Sequence, residues 1–325
     1  MSDLIDRLST ARPTEADLTR EWSAADRQRL AGRVFTDGPA HSQHGRARRV
    51  RRALALGVAA AVAAVVVVPQ VVGGQSAQAR ERLLELSAVA AAADTPLIEP
   101  GTFLHVRSTE RQRNSQLFGD GARYDTDHET WVAWDGEQWR YDRRPSAGWT
   151  EAHHFPSRST DVGVNAPTPQ FVASLPADPD ELRAHLDEHV QGSNSHEEAL
   201  FVAVTDLLRS HLLPPAKAAV AIRSLVGVDG VETRDVTVDG RDAVEISYTR
   251  FVLDVFGTES VIVDRATAQV LAARSSDPGG TYEETATLIE VVGEVPARIT
   301  RDLAEHGSGA RICADGTEAD GDGTC

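Results

Sequence analysis

Hydrophobic and polar positions along the chain change rhythm several times, and the first change dominates. Residues 53–72 form a run of twenty without a charge, almost all Ala, Val, Leu or Gly, directly after Arg46, Arg48, Arg49, Arg51 and Arg52. At about 1.5 Å per residue, twenty helical residues reach about 30 Å, the thickness of a bilayer's hydrocarbon core. The run predicts a single transmembrane helix. Arginine resists translocation, so residues 1–52 are expected on the cytoplasmic side and everything from 73 on outside. Two other readings stand beside it. Ser76-Ala77-Gln78-Ala79 offers small residues for signal-peptide cleavage after Ala79, although a 52-residue leader is long for that role. The run could also be a buried helix of a soluble protein, which leaves the arginine cluster unexplained.

Beyond the run, the period of the pattern predicts an α+β domain over 73–300. Glu81–Ala93 repeats Leu and Ala with helical spacing and stops at Asp94-Thr95-Pro96. Thr102–Ser108 alternates as a strand. Thr130–Trp134 and Glu137–Asp142 flank Asp135-Gly136, a dipeptide suited to a tight hairpin, with the extent of the loop left open. A helical block follows over 178–226: a short helix opening at Pro176–Asp180 with Leu182 and Leu186 on one face, a second over Glu197–Leu212, and a third after Pro214-Pro215. The period then falls to two. Val231–Val238, Ala243–Tyr248, Leu253–Val263, Val270–Arg274 and Thr285–Val292 are predicted strands, with Asp239-Gly240 as a hairpin turn. Residues 301–325 are acidic and predicted to be a disordered tail.

On the cytoplasmic side, Leu4, Ile5 and Leu8, then Leu18, Trp22, Leu30, Val34 and Phe35, suit two small amphipathic helices split by Pro13. Such a short segment buries little, so it needs the membrane surface or a partner.

Charge is unevenly shared. Residues 1–52 hold 11 arginines and 7 acids, leaving 22 of the 33 basic and 42 of the 49 acidic residues to positions 80–325, a net of −20. An ectodomain of that sign suits neither nucleic acid nor anionic lipid on its outer face, so no nucleic-acid partner is expected. The inner arginines suit anionic lipid headgroups.

Chemical motifs are few. His185-Leu186-Asp187-Glu188-His189 matches the H-x-x-E-H spacing that sets two histidines one helical turn apart for zinc, but no third ligand is visible and the segment also reads as a solvated helix face. Glu318–Gly323 resembles half of a calcium loop whose closing glutamate would fall past the last residue. Cys313 and Cys325 are the only cysteines, able to pair in an oxidising compartment or to remain free. The chain contains no G-x-S-x-G elbow, P-loop or dinucleotide turn, so no catalytic residue and no cofactor are assigned. Four of five tryptophans, Trp131, Trp134, Trp139 and Trp149, surround one hairpin with Tyr124 and Tyr141. They are either cross-strand packing or the wall of a groove; Trp131, Trp134, Trp139 and Tyr141 are the candidate ligand-binding set.

Ser174-Leu175-Pro176-Ala177-Asp178-Pro179-Asp180, the run Phe201–Leu225 broken at Leu213-Pro214-Pro215, and Val261-Ile262-Val263-Asp264-Arg265 through Val270-Leu271 resemble an actinobacterial family of single-pass membrane proteins without assigned activity. The ectodomain plan is also similar to the lipoprotein-carrier half-barrel (LolA- and RseB-like), in which an open antiparallel sheet wraps an inserted helical segment and holds a lipid tail or a partner segment. That second resemblance is one of fold. It implies a membrane-anchored extracytoplasmic binding or sensory protein, not an enzyme. Its ligand would be apolar or an envelope protein, and its inner segment would contact a cytoplasmic regulator, as in anti-sigma systems. The alternatives are a metal-dependent extracytoplasmic hydrolase built on His185, Glu188 and His189, and a structural envelope protein without ligand.

Overall fold

The computed structural model describes residues 75–95, 97–114, 121–157, 163–164, 166–190, 195–252, 255–319 and 325. The predicted span 53–72 and the inner segment 1–52 lie outside these. Among the described residues no helix is long and apolar enough to cross a membrane.

Ten strands form one antiparallel sheet: β1 (Phe103–Asn114), β2 (Arg123–Ala133), β3 (Gln138–Arg144), β4 (Trp149–Phe155), β5 (Val231–Val238), β6 (Arg241–Val252), β7 (Val255–Asp264), β8 (Val270–Asp277), β9 (Gly280–Val292) and β10 (Arg311–Cys313). Their order is β10-β4-β3-β2-β1-β9-β8-β7-β6-β5. Two meanders, β1–β4 and β5–β9, therefore join through β1 and β9. Between the meanders the chain makes helices α2 (Pro169–Ser174), α3 (Pro179–His189), α4 (His196–Arg209) and α5 (Pro215–Ser224), after α1 (Ala77–Ala92) and before α6 (Ala297–His306).

The helices start where oxygen-bearing side chains satisfy free amides. Ser76 accepts from Ala79 N, Asp178 from the amides of Asp180 and Glu181, and Ser195 from Glu198 N. At the far end of α5, Arg183 donates to the carbonyl oxygens of Ser224 (2.7 Å) and Val226 (2.6 Å), groups a helix terminus leaves open. Buried positions Ala79, Leu83, Leu86 and Ala90 place one face of α1 inward, where Ser87 donates to Ala219 O of α5.

Helices α1 and α3–α5 pack Leu83, Leu186, Phe201, Val204, Leu207 and Ile222 into one core with Val244, Ile246, Val261 and Val263 of the second meander. Register decides the rest. Residues opposite one another in an antiparallel pair share a face, so the face that carries Ile246 and Val261 continues through Ala273, Glu284 and Glu110. On the first meander the same face carries Ser108, His128 and Asp142. It is polar there.

Several elements differ from the sequence expectations. The hairpin around Asp135-Gly136 forms, but Ala133 N donates to Glu137 O, so the loop is Trp134-Asp135-Gly136 with Gly136 at φ +85°. At Asp239-Gly240 both residues have positive φ (50° and 79°), as a two-residue hairpin loop needs. Strands β1, β6 and β9 extend well beyond the apolar runs that predicted them, because the sheet's hydrogen bonds continue through polar and charged residues. Helix α2 and strands β4 and β10 were not foreseen.

The segment expected as a disordered tail from 301 is ordered through α6 and β10. Ile299 is fully buried, β10 pairs with β4, Gly309 N donates to Ala152 O, and Cys313 is bonded to Cys325. Two apolar anchors and a hairpin suffice where overall acidity argued for disorder.

Candidate functional site

The sequence-selected aromatics come together only in part, and on the opposite face from helices 178–226. Trp131 is 1% exposed, and its ring stacks on His105 at 4.5 Å. It shares a small core with Ala152 and Ile299, against which Phe103, Trp139, Tyr141 and Leu303 pack. Arg298 of α6 lies over Tyr141 and donates to Glu129 (3.0 Å). Trp134 sits apart in the hairpin loop. The set packs beneath α6 instead of walling a groove with the helical block. The reason is parity: Trp131, Trp139 and Tyr141 are opposite one another or two residues apart, so all face away from those helices.

His185 and His189 lie on α3 with ring centres 4.3 Å apart, and His189 Nδ1 donates to His185 O (2.7 Å). Glu188 is exposed beside them. Among the described residues no group of three or more His, Cys, Asp or Glu is placed to hold a metal ion.

The face under the helices holds the more organised cluster. Where the helical layer ends at Arg209–His211, a cleft of about 310 Å³ opens between α4 and strands β1, β2, β3, β8 and β9. Its apolar lining includes Val106, Val132, Leu271, Ala273 and Ala286. Its polar lining is a set of paired charges. His128 Nδ1 donates to Asp142 Oδ1 (2.6 Å) and Nε2 to Glu110 Oε2 (2.9 Å), and Arg140 Nε donates to the same Asp142 oxygen (2.7 Å). Nearby, Glu284 accepts from Ser108 (2.9 Å), Tyr282 (3.0 Å) and Arg209 (3.2 Å). Glu110 and Glu284 are directly opposite each other across β1 and β9, a like-charge pairing that sheets normally avoid. His128 and Arg209, one on each, relieve it.

These contacts determine protonation. Burial by itself would lower the His128 imidazole. Its hydrogen bonds to Asp142 and Glu110, with the charge of Asp142, outweigh burial and the repulsion of Arg140 and raise it to about 9. Burial would likewise raise Asp142 and Glu284, yet hydrogen bonds from His128 and Arg140 hold Asp142 below the usual range, and Arg209 and its companions do the same for Glu284. Burial, then the charge of Glu284, pushes the Tyr282 hydroxyl up. His211 differs: burial pulls it down to about 4, so it is neutral at pH 7. Its backbone is left-handed at φ 57°, uncommon outside glycine, which turns the chain away just past α4.

The cleft therefore presents three cations (His128, Arg140, Arg209) and two anions (Glu110, Glu284), with Asp142 buried behind His128 and Arg140, beside an apolar wall. His128 has a carboxylate on each ring nitrogen, which outweighs Arg140 Nη2 3.0 Å from Nδ1 and favours the protonated ring at neutral pH, so it is a poor general base. Sequence reasoning missed this cluster because its members are spread over four strands and a helix end. The visible signal was a row of polar residues at alternate positions of β1 and β2.

No family model matches the chain, and no curated protein matches it. Among solved structures, the LolA superfamily protein NE2245 from Nitrosomonas europaea is 9% identical, covering 68% of this chain and 96% of that one at a TM-score of 0.21. LprF from Mycobacterium bovis is 10% identical over 69% and 100% (TM-score 0.26), and MucB is 14% identical over 70% and 63% (TM-score 0.25).

Proposed function

We propose that this chain is a membrane-anchored extracytoplasmic binding protein whose helix-side cleft holds an amphipathic guest, a lipid or the apolar segment of an envelope protein. The observation that carries the reading is the pairing of an apolar wall with charges that already neutralise one another. Such a lining accommodates an apolar body and a hydrogen-bonding head without demanding an ion. A protonated His128 with both nitrogens engaged favours binding over catalysis. The apolar run 53–72 behind its arginines supports the anchor, and the cysteine pair is compatible with an oxidising exterior. By the sequence resemblance, the inner segment would report occupancy to a cytoplasmic regulator.

Two measurements test this. A reporter active only outside the membrane is expected to work when fused after Gly73 and to be silent when fused at Arg33; the reverse overturns the topology. Native mass spectrometry of the full chain taken from membranes in mild detergent is expected to show a copurifying amphiphile. Ala273→Trp, which fills the cleft, is expected to abolish that adduct. An adduct retained at full occupancy in Ala273→Trp would remove the cleft from the proposal.

A further inference from the structure

The sheet face turned away from helices α1–α5 carries a trough of about 680 Å³, the largest of the cavities described, across β1, β2 and β5–β9. Register arranges its residues in rows that cross the strands. One row runs Arg111, Glu283, Arg274, Ser260, Ser247 and Glu232, a mixture of both signs. Arg111 and Arg274 pair with Glu283 within that row. The next row is different. It runs Arg123, Arg113, Thr281, Ser276, Thr258 and Thr249 on six consecutive neighbours, β2, β1, β9, β8, β7 and β6. It contains no acid.

Two features of this row call for a ligand. Arg113 and Arg123 are directly opposite each other, a like-charge pairing that costs stability in a sheet. Among the described residues Arg123 has Asp125 (3.3 Å) as its sole charged partner, with both side chains about half exposed, so that pair is weak and exchangeable, and Arg113 has none. Next to them stand four hydroxyls, Thr281, Ser276, Thr258 and Thr249, whose side chains make no hydrogen bond among the described residues. All six residues line the same trough. Several neighbouring polar groups are paired by contrast: Ser260 donates to Glu245 (2.8 Å), which also accepts from Arg234 and is buried at the trough floor. The two arginines and four hydroxyls thus follow a line about 24 Å long, six strands at about 4.8 Å spacing, with the Ser247 hydroxyl of the same trough beside it.

We propose that this row is a binding track for an acidic glycan strand. Arg113 and Arg123 would take a carboxylate or phosphate between their guanidiniums, as arginine does bidentately. The sugar hydroxyls would lie along Thr281, Ser276, Thr258 and Thr249. The row contains no aromatic ring and no apolar side chain, which disfavours a lipid tail or a hydrophobic peptide there. In a domain of strongly negative net charge, a row free of acids is the place where an anionic polymer can approach. The track lies on the opposite side of the sheet from the cleft, so it stands or falls independently of the function proposed above.

The experiment uses the full chain in nanodiscs of zwitterionic lipid and three probes, oligogalacturonate, a glycerol-phosphate oligomer and neutral dextran of similar length, with binding followed by isothermal titration. Binding of one or both acidic probes and not of dextran is expected, weakening about tenfold between 50 and 300 mM salt. The probe that binds more tightly identifies carboxylate or phosphate as the anion. Arg113→Gln is expected to reduce affinity about tenfold, and the double variant Thr258→Val with Thr281→Val severalfold at unchanged thermal stability, since all three side chains are exposed. Ala273→Trp, in the cleft on the other face, is expected to leave glycan affinity unchanged. Failure of both acidic probes to bind above dextran overturns the proposal. So does acidic binding that is indifferent to Arg113→Gln and to the hydroxyl variant, which would place the anion elsewhere.

Discussion

The two meanders of one sheet solve the same packing problem in opposite ways. In β5–β8 the face carrying Val244, Ile246, Val261 and Val263 is aliphatic and lies under four helices. In β1–β4 the corresponding face sets His128, Asp142 and Glu110 beside Leu104, Val106 and Val132, and the large aromatic side chains, Trp131, Trp139 and Tyr141, lie on the other face under α6. A sheet that switches its buried face partway across leaves polar strand surface beside the end of the helical layer. That junction is the cleft, and it is built from the mismatch itself.

The comparison breaks most directly through the cores. Phe201→Ala and Trp131→Ala each remove a fully buried aromatic side chain and are expected to cost ~3–5 kcal/mol. Hydrogen exchange is expected to place the first loss in β5–β8 and the helices and the second in β1–β4, α6 and β10. Equal loss of protection everywhere in both variants would merge the halves into a single core.

A smaller effect sharpens the role of the junction. His128 has a folded pKa of about 9, raised above its ordinary 6.5, so the stability it contributes is fully present below about pH 6.5 and is lost as pH rises through 9. The expected size is on the order of 2 kcal/mol after solvent screening. His211 acts with the opposite sign. Its pKa is depressed to about 4, so its contribution is present above about 6.5 and is lost as pH falls toward 4. Denaturation midpoints measured from pH 4 to pH 10 should therefore peak between these windows, and His128→Gln should flatten the alkaline limb alone. An unchanged alkaline limb in that variant would show that the cluster does not hold the imidazolium.

The smallest expected effect is on the helical layer's outer surface. Replacing His185 and His189 together by alanine should change stability by less than ~0.5 kcal/mol, because neither ring is built into the core. Stoichiometric zinc in the wild-type chain that disappears in this variant would restore the hydrolase reading.

Much of the layout was legible from local pattern. The helices around Leu182, Phe201 and Ile222 and the hairpin at Asp239-Gly240 follow from side-chain period, proline position and glycine's tolerance of positive φ. Strand β4 was hidden because Trp149–Phe155 mixes two histidines and a glutamate into its alternation, and α6 because it has few apolar anchors, chiefly Ile299 and Leu303. The cleft was hidden more deeply. Glu110, His128, Asp142, Arg209 and Glu284 are far apart in sequence, and each alone reads as an ordinary solvated residue.

What the sequence by itself determined is therefore everything governed by near neighbours: an uncharged run behind arginines, the period of each element, the breaks between them, and two cysteines within reach of one another. Which face of each strand is buried, which carboxylate meets which cation, and which rows of side chains line up across six strands were decided only in the folded chain. The physical reason is that a strand's alternation fixes two faces without saying which is which. That choice is made by register with neighbours distant in sequence and by the helices, α6 among them, that cover one side or the other.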